Sequence, residues 1–164
     1  MNIEIIPKKT EIPAFDTKAV KIQHIEYFDH PYTEYEGEEI TEEVIAEVLH
    51  KIPLGLNIYL SLEPEGEDRW LEVNCDGQWL SLWFWTEEGE ESYFLYNSSF
   101  ADTEKQVRDG DFSDPNICTP LLSGGQSPIA KLNAITDIET GVKAVEYFIR
   151  MGGFFPGLDW WHEH

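Results

Sequence analysis

The sequence predicts an α+β domain: a single antiparallel sheet meander with a C-terminal amphipathic helix packed on one face. Three observations carry this. Segments between residues 54 and 97 alternate apolar and polar side chains with period two, as half-buried strands do. Acidic or glycine-bearing turns separate these segments. The run 137–151 instead repeats its apolar residues at helical spacing. Strands followed by one strong helix favour the α+β class.

In chain order, KAVKIQHIEYF (18–28) is rich in β-branched and aromatic residues and predicts a strand. Residues 41–49 predict a short helix. Thr41 caps it, Glu42 and Glu43 fill its first turn, Ile40 staples against Ile45, and Pro53 stops it. Leu56, Ile58, Leu60 and Leu62 define the apolar face of the next strand. Trp70–Cys75 follows, with Leu71, Val73 and Cys75 on one face, and Asp76-Gly77 marks a hairpin turn. In 78–85 one face carries Leu80, Leu82 and Phe84 and the other Trp79, Trp83 and Trp85, the pattern of a central strand covered on both sides. Ser92–Asn97 is a fourth strand, 98–115 a long loop, and 128–135 an edge strand. The final helix reads as a capping box from Thr136 to Glu139, an apolar stripe of Ile138, Val142, Val145, Phe148 and Ile149, and a Gly152-Gly153 stop. Phe154, Phe155, Leu158 and Trp160 give the exiting chain apolar weight to pack back.

The length of 164 residues suits one domain, 1–164, and the 41% hydrophobic and 13% aromatic content is enough for a core. Within it, residues 1–53 form an N-terminal portion whose structure the sequence leaves open, and 54–161 form the patterned core. No run of ~18 apolar residues is present, so no membrane helix is expected. MNIEIIPKK lacks a basic lead before an apolar segment, so no secretory signal is expected. Cys75 and Cys118 are too few for a disulfide framework. A cytoplasmic protein with free thiols is the expectation.

Thirty-two acids face eleven bases, a formal net charge of −21. Nucleic acid and anionic membrane are poor partners for such a chain, because a phosphate-binding surface needs clustered Lys and Arg. A basic protein partner is favoured, since opposite fields steer association; the alternative is that acidity serves solubility only. The acids cluster at 34–43, 63–68, 87–91 and 102–114, mostly between predicted elements. The residues singled out for partner binding are Glu36, Glu38, Glu39, Glu87, Glu88, Glu90, Glu91, Asp109 and Asp111.

The end of the chain carries Ala144, Phe148, Gly152, Pro156, Leu158 and Trp160 in the spacing A-x3-F-x3-G-x3-P-x-L-x-W. This resembles the end of the first-numbered family of bacterial polymorphic-toxin immunity proteins, and the resemblance spans roughly Leu54 to Trp160. Gly153 and the two phenylalanines replace a more usual polar or basic residue before the proline. The resemblance implies a structural role for those six residues. It also implies a chain that binds and neutralises a cognate toxin domain, a nuclease or deaminase, by stoichiometric protein–protein inhibition, and is not itself an enzyme.

Motifs for chemistry are weak. Asp109-Gly-Asp111-x-x-Asp114 lacks the glycine of a calcium loop at its sixth position and has Pro120 in place of the bidentate glutamate. His162-Glu-His164 could chelate a metal but sits at the chain end, where a solvated tail is expected. The cysteines lack zinc spacing, and Gly124-Gly125 lacks a neighbouring lysine or helix start. Glu72, the one acid inside a strand away from its ends, is expected to face solvent opposite Leu71 and Val73. No catalytic residue, metal or cofactor is expected. Two alternatives stand beside the inhibitor: an acidic adaptor or assembly domain without a toxin partner, and a small hydrolase using an unrecognised carboxylate pair.

Overall fold

A computed structural model describes residues 2–29, 31–86 and 90–164. Along the chain lie β1 (Ile3–Ile6), β2 (His24–Phe28), β3 (Tyr32–Glu36), α1 (Glu42–Lys51), β4 (Ile58–Ser61), β5 (Trp70–Cys75), β6 (Leu80–Thr86) and β7 (Glu91–Leu95). Then follow α2 (Glu104–Arg108), β8 (Cys118–Ser123), β9 (Ser127–Ala130), α3 (Ile138–Met151) and β10 (Trp160–Glu163). The fold is α+β. Eight strands form one antiparallel sheet in the order β1-β10-β7-β6-β5-β4-β2-β3, and β8 and β9 pair separately as a hairpin.

The meander β4–β7 joins sequential neighbours, so its alternating residues sort cleanly to two faces. On one face Ile58, Leu60, Leu71, Val73, Leu80, Leu82 and Leu95 are buried beneath α3. Phe148 of α3 meets Phe84 edge-on at 5.5 Å. Gly141 lets the helix approach the sheet: a Cβ there would lie 2.7 Å from a Leu80 methyl. Burying apolar side chains at roughly 1.5–3 kcal/mol each drives this contact. Arg150, 5% exposed, makes a bidentate pair with Glu42 at 2.7 and 2.8 Å and so ties α3 to α1.

Thr41 caps α1, its hydroxyl accepting from the Val44 amide at 3.3 Å, and Ile40 and Ile45 are buried. The cap of α3 is Asp137 rather than Thr136. Its carboxylate accepts from the Thr140 amide (3.2 Å) and hydroxyl (2.6 Å), and a carboxylate at the positive end of the helix dipole outcompetes a hydroxyl one residue earlier. Gly152 stops the helix in the left-handed region, φ 77°.

Four expectations need correction. Only His24–Phe28 of 18–28 is a strand; further upstream the backbone turns to α3, where the Lys21 amide donates to the Ile149 carbonyl. Residues 98–115 are not a plain loop. A 3-10 turn (Ser98–Thr103) leads into α2, which is supported by Glu104–Arg108 and Lys105–Asp109 pairs at 2.6 Å, while Phe100, Val107 and Phe112 pack on Trp161. Strand 128–135 shortens to β9, followed by a 3-10 turn (Lys131–Asn133), and only Ile135 bridges the main sheet, at Leu80. The C-terminal tail packs back as expected, with Phe154, Phe155 and Leu158 against the main core, but its end is not frayed: Trp160–Glu163 form β10, inserted between β1 and β7, with Trp160 and Trp161 buried on opposite faces.

Candidate functional site

The strand register aligns one end of the sheet. Glu36, His24, Ser61, Trp70, Trp85, Ser92, Glu163 and Ile3 follow one another across it as paired positions. The connections leaving that end are therefore neighbours in space although far apart in sequence. They are the turn after β3 with Glu38 and Glu39, the β4–β5 loop with Glu63, Glu65, Glu67 and Asp68, and the β6–β7 turn with Glu90. Between Lys21 and Lys51 the chain carries nine acids and no lysine or arginine.

On the face opposite α3 this end carries a strip of rings, half-buried except for the buried His24. His24 meets Trp70 edge-on at 5.5 Å, Trp70 stacks on Trp85 at 6.1 Å, Trp85 meets Trp83 at 4.6 Å, and Trp83 stacks on Phe94 at 5.4 Å. These are the alternate residues of β5, β6 and β7 that do not enter the α3 core. The β4–β5 loop closes over Trp70 through Gly66, where a Cβ would fall 2.5 Å from the indole and φ is +69°. In the same loop Arg69 holds a left-handed φ of 53°, and its guanidinium reaches Glu63 at 2.7 Å. A non-glycine residue in that region is strained, a feature that clusters at functional loops.

The carboxylates beside the strip crowd one another. Tyr32 donates its hydroxyl to Glu26 and, at 3.1 Å, to Glu34, and the bond to Glu26 is the main reason its pKa is raised. A hydrogen bond with Glu34 is the largest cause raising the Glu36 carboxyl above its ordinary value, followed by burial and the Glu34 charge. The buried His24 ring sits between Glu26 (3.8 Å) and Glu36 (3.5 Å). Further along, Phe28 (65% exposed) and Tyr32 line an open depression with Glu26 and Tyr59.

The residues singled out in the sequence fall into three groups. Glu36, Glu38, Glu39 and Glu90 are exposed at this end, and Glu91 is there half-buried, 3.5 Å from His162. Glu87 and Glu88 lie outside the described residues. Asp109 and Asp111 follow the opposite end of β7. They are engaged locally, Asp109 with Lys105 at 2.6 Å and Asp111 with the Ser113 hydroxyl (2.7 Å), which lowers its pKa. The six motif residues lie elsewhere: Ala144, Phe148 and Trp160 are buried, Pro156 and Leu158 are half-buried, and Gly152 is the helix stop. The tryptophan strip and Tyr32 were missing from the expected site. The second face of 78–85 was legible as aromatic, but its partial exposure depends on how far the β8–β9 hairpin extends over it.

Glu72 does not face solvent. It is 2% exposed and accepts four hydrogen bonds, from the Tyr59 hydroxyl (3.2 Å), the Asn74 amide (3.0 Å), the Ser123 hydroxyl (2.8 Å) and the Gly124 backbone (3.0 Å). The hairpin covers this face, so the carboxylate becomes the strut fastening hairpin to sheet. Burial and the nearby Glu72 charge push the Tyr59 hydroxyl up to about 12. A cavity of about 290 Å³ opens beside it, lined by Asn74, Ser81, Trp83, Phe94 and Ile129. Oε1 accepts three of these bonds and Oε2 only the one from Ser123, and the carboxylate is itself part of the cavity wall. Among the described residues two groups bring three potential ligand atoms within 4.8 Å of one another, His24 with Glu26 and Glu34, and Glu4 with His162 and His164.

No family model, curated protein or solved structure matches this chain.

Proposed function

We propose that this chain is an immunity protein that neutralises a basic bacterial toxin domain, a nuclease or deaminase, by one-to-one binding through the acidic, aromatic end of its sheet. The observation that carries the reading is the juxtaposition of half-buried Trp70, Trp83 and Trp85 with Glu26, Glu34 and Glu36. Indole faces and carboxylates together suit Lys and Arg, through cation–π contacts and charge-assisted hydrogen bonds. Buried aromatic anchors inside a polar rim are also the anatomy of interface hot spots. A toxin domain that grips polyanionic substrates must present a basic cleft, and this end complements it. The toxin assignment itself rests on the C-terminal pattern Ala144 to Trp160.

Co-expression with the toxin domain encoded beside this chain tests the reading. The wild-type protein should restore growth and co-purify at one-to-one stoichiometry. The triple variant Glu36→Lys, Glu38→Lys, Glu39→Lys should fold yet fail to protect. Growth arrest despite abundant wild-type protein would discard the inhibitor reading in favour of an adaptor role.

A further inference from the structure

We propose that Glu4, His162 and His164 form a binding site for a divalent transition-metal ion of the zinc class, clasping the edge strand β1 to β10. The site is independent of the toxin reading. It exists because β10 is a strand. His162 and His164, two residues apart, project to one face of the sheet, and Glu4 is the register partner of His162 on β1. One ligand atom from each of the three lies within 4.8 Å of the others. Tetrahedral zinc at ~2.0–2.2 Å from nitrogen and oxygen needs ligand atoms about 3.3–3.6 Å apart, which small side-chain rotations supply.

A second observation points the same way. The His162 Nε2 atom is buried and has no hydrogen-bond partner. A buried imidazole nitrogen without a partner is costly, and a metal would satisfy it. The ring is held in place by stacking, on Tyr93 at 4.1 Å and on His164 at 4.5 Å, so it is preorganised. Glu91 Oε1 of the neighbouring β7 lies 3.5 Å from His162 Nε2 but outside the group of three. Two imidazoles with carboxylates favour zinc, cobalt or nickel over calcium or magnesium, which take oxygen. The other candidate cluster is weaker, having one histidine, and its Glu26 and Glu34 carboxylates already accept the Tyr32 hydroxyl. A bound ion would link β1 at the sheet edge to β10.

Calorimetric titration of the metal-stripped full-length protein with zinc chloride tests this, with cobalt as a spectroscopic probe. One zinc per chain is expected, with a rise in melting temperature and the visible absorption of tetrahedral cobalt. His164→Gln, a change at an exposed residue, should weaken zinc binding at least ~10-fold and abolish both the cobalt bands and the zinc-induced rise. His50→Gln on the exposed face of α1 should change neither. Zinc binding of equal affinity in wild type and His164→Gln, or no stoichiometric binding to wild type, would overturn the assignment.

Discussion

At the scale of single residues, two buried side chains decide whether the two faces of the sheet stay covered. Glu72 accepts from four donors, so Glu72→Ala strands Tyr59, Asn74, Ser123 and the Gly124 amide at once. Each orphaned buried donor costs about 1–3 kcal/mol, partly relieved by water, and the net loss should be of order 2–4 kcal/mol in urea unfolding. An unchanged unfolding midpoint would mean the hairpin is held by its apolar contacts alone. On the other face Trp160 is 1% exposed and its indole N–H donates to the Phe155 carbonyl at 2.7 Å. Trp160→Ala should cost about 3–5 kcal/mol, read from the same unfolding curve. Period-two alternation says only that Glu72 opposes Leu71 and Val73. Whether that face meets water depends on a hairpin fifty residues later, and no local pattern encodes that.

At the scale of elements, the strongly periodic ones were legible. β5 spans the residues expected, and α1 and α3 fall within two residues of theirs, because apolar spacing and caps act locally. The elements that were missed depend on distant partners. β1 and β10 are four-residue strands that exist through pairing with each other and with β7, and α2 is one short turn braced by ion pairs and by Trp161. The cap of α3 separates two adjacent candidates experimentally. Asp137→Ala should lower stability by about 1 kcal/mol, while Thr136→Ala should leave it nearly unchanged. Thr140 lowers the Asp137 pKa below its unfolded value. The cap's contribution is therefore complete above the unfolded pKa and is lost as pH falls through the folded one. The stability difference between wild type and Asp137→Ala, measured down a pH series, should shrink on that acidic limb. A difference that persists in acid would place the stabilisation elsewhere.

At the scale of the whole molecule, antiparallel topology gathers what the sequence scatters. Acidic segments read as separate loops converge on one end of the sheet beside Trp70, Trp83 and Trp85, whereas the 102–114 acids are carried past the other end of β7. The charge was countable from the sequence, but its concentration beside aromatic rings follows from register. If this end recognises a basic domain, its field should set the encounter rate. The Debye length shrinks from ~10 Å at 0.1 M salt to ~3 Å at 1 M, so long-range attraction should fade over that span. The most direct measurement is stopped-flow association with the cognate toxin domain across that salt range, for wild type and for the Glu36→Lys, Glu38→Lys, Glu39→Lys variant. We expect the wild-type on-rate to fall steeply with salt, the off-rate to move little, and the variant to associate slowly with a flattened salt dependence. A variant that binds at the wild-type rate with the same salt dependence would contradict the assignment of this end as the recognition surface.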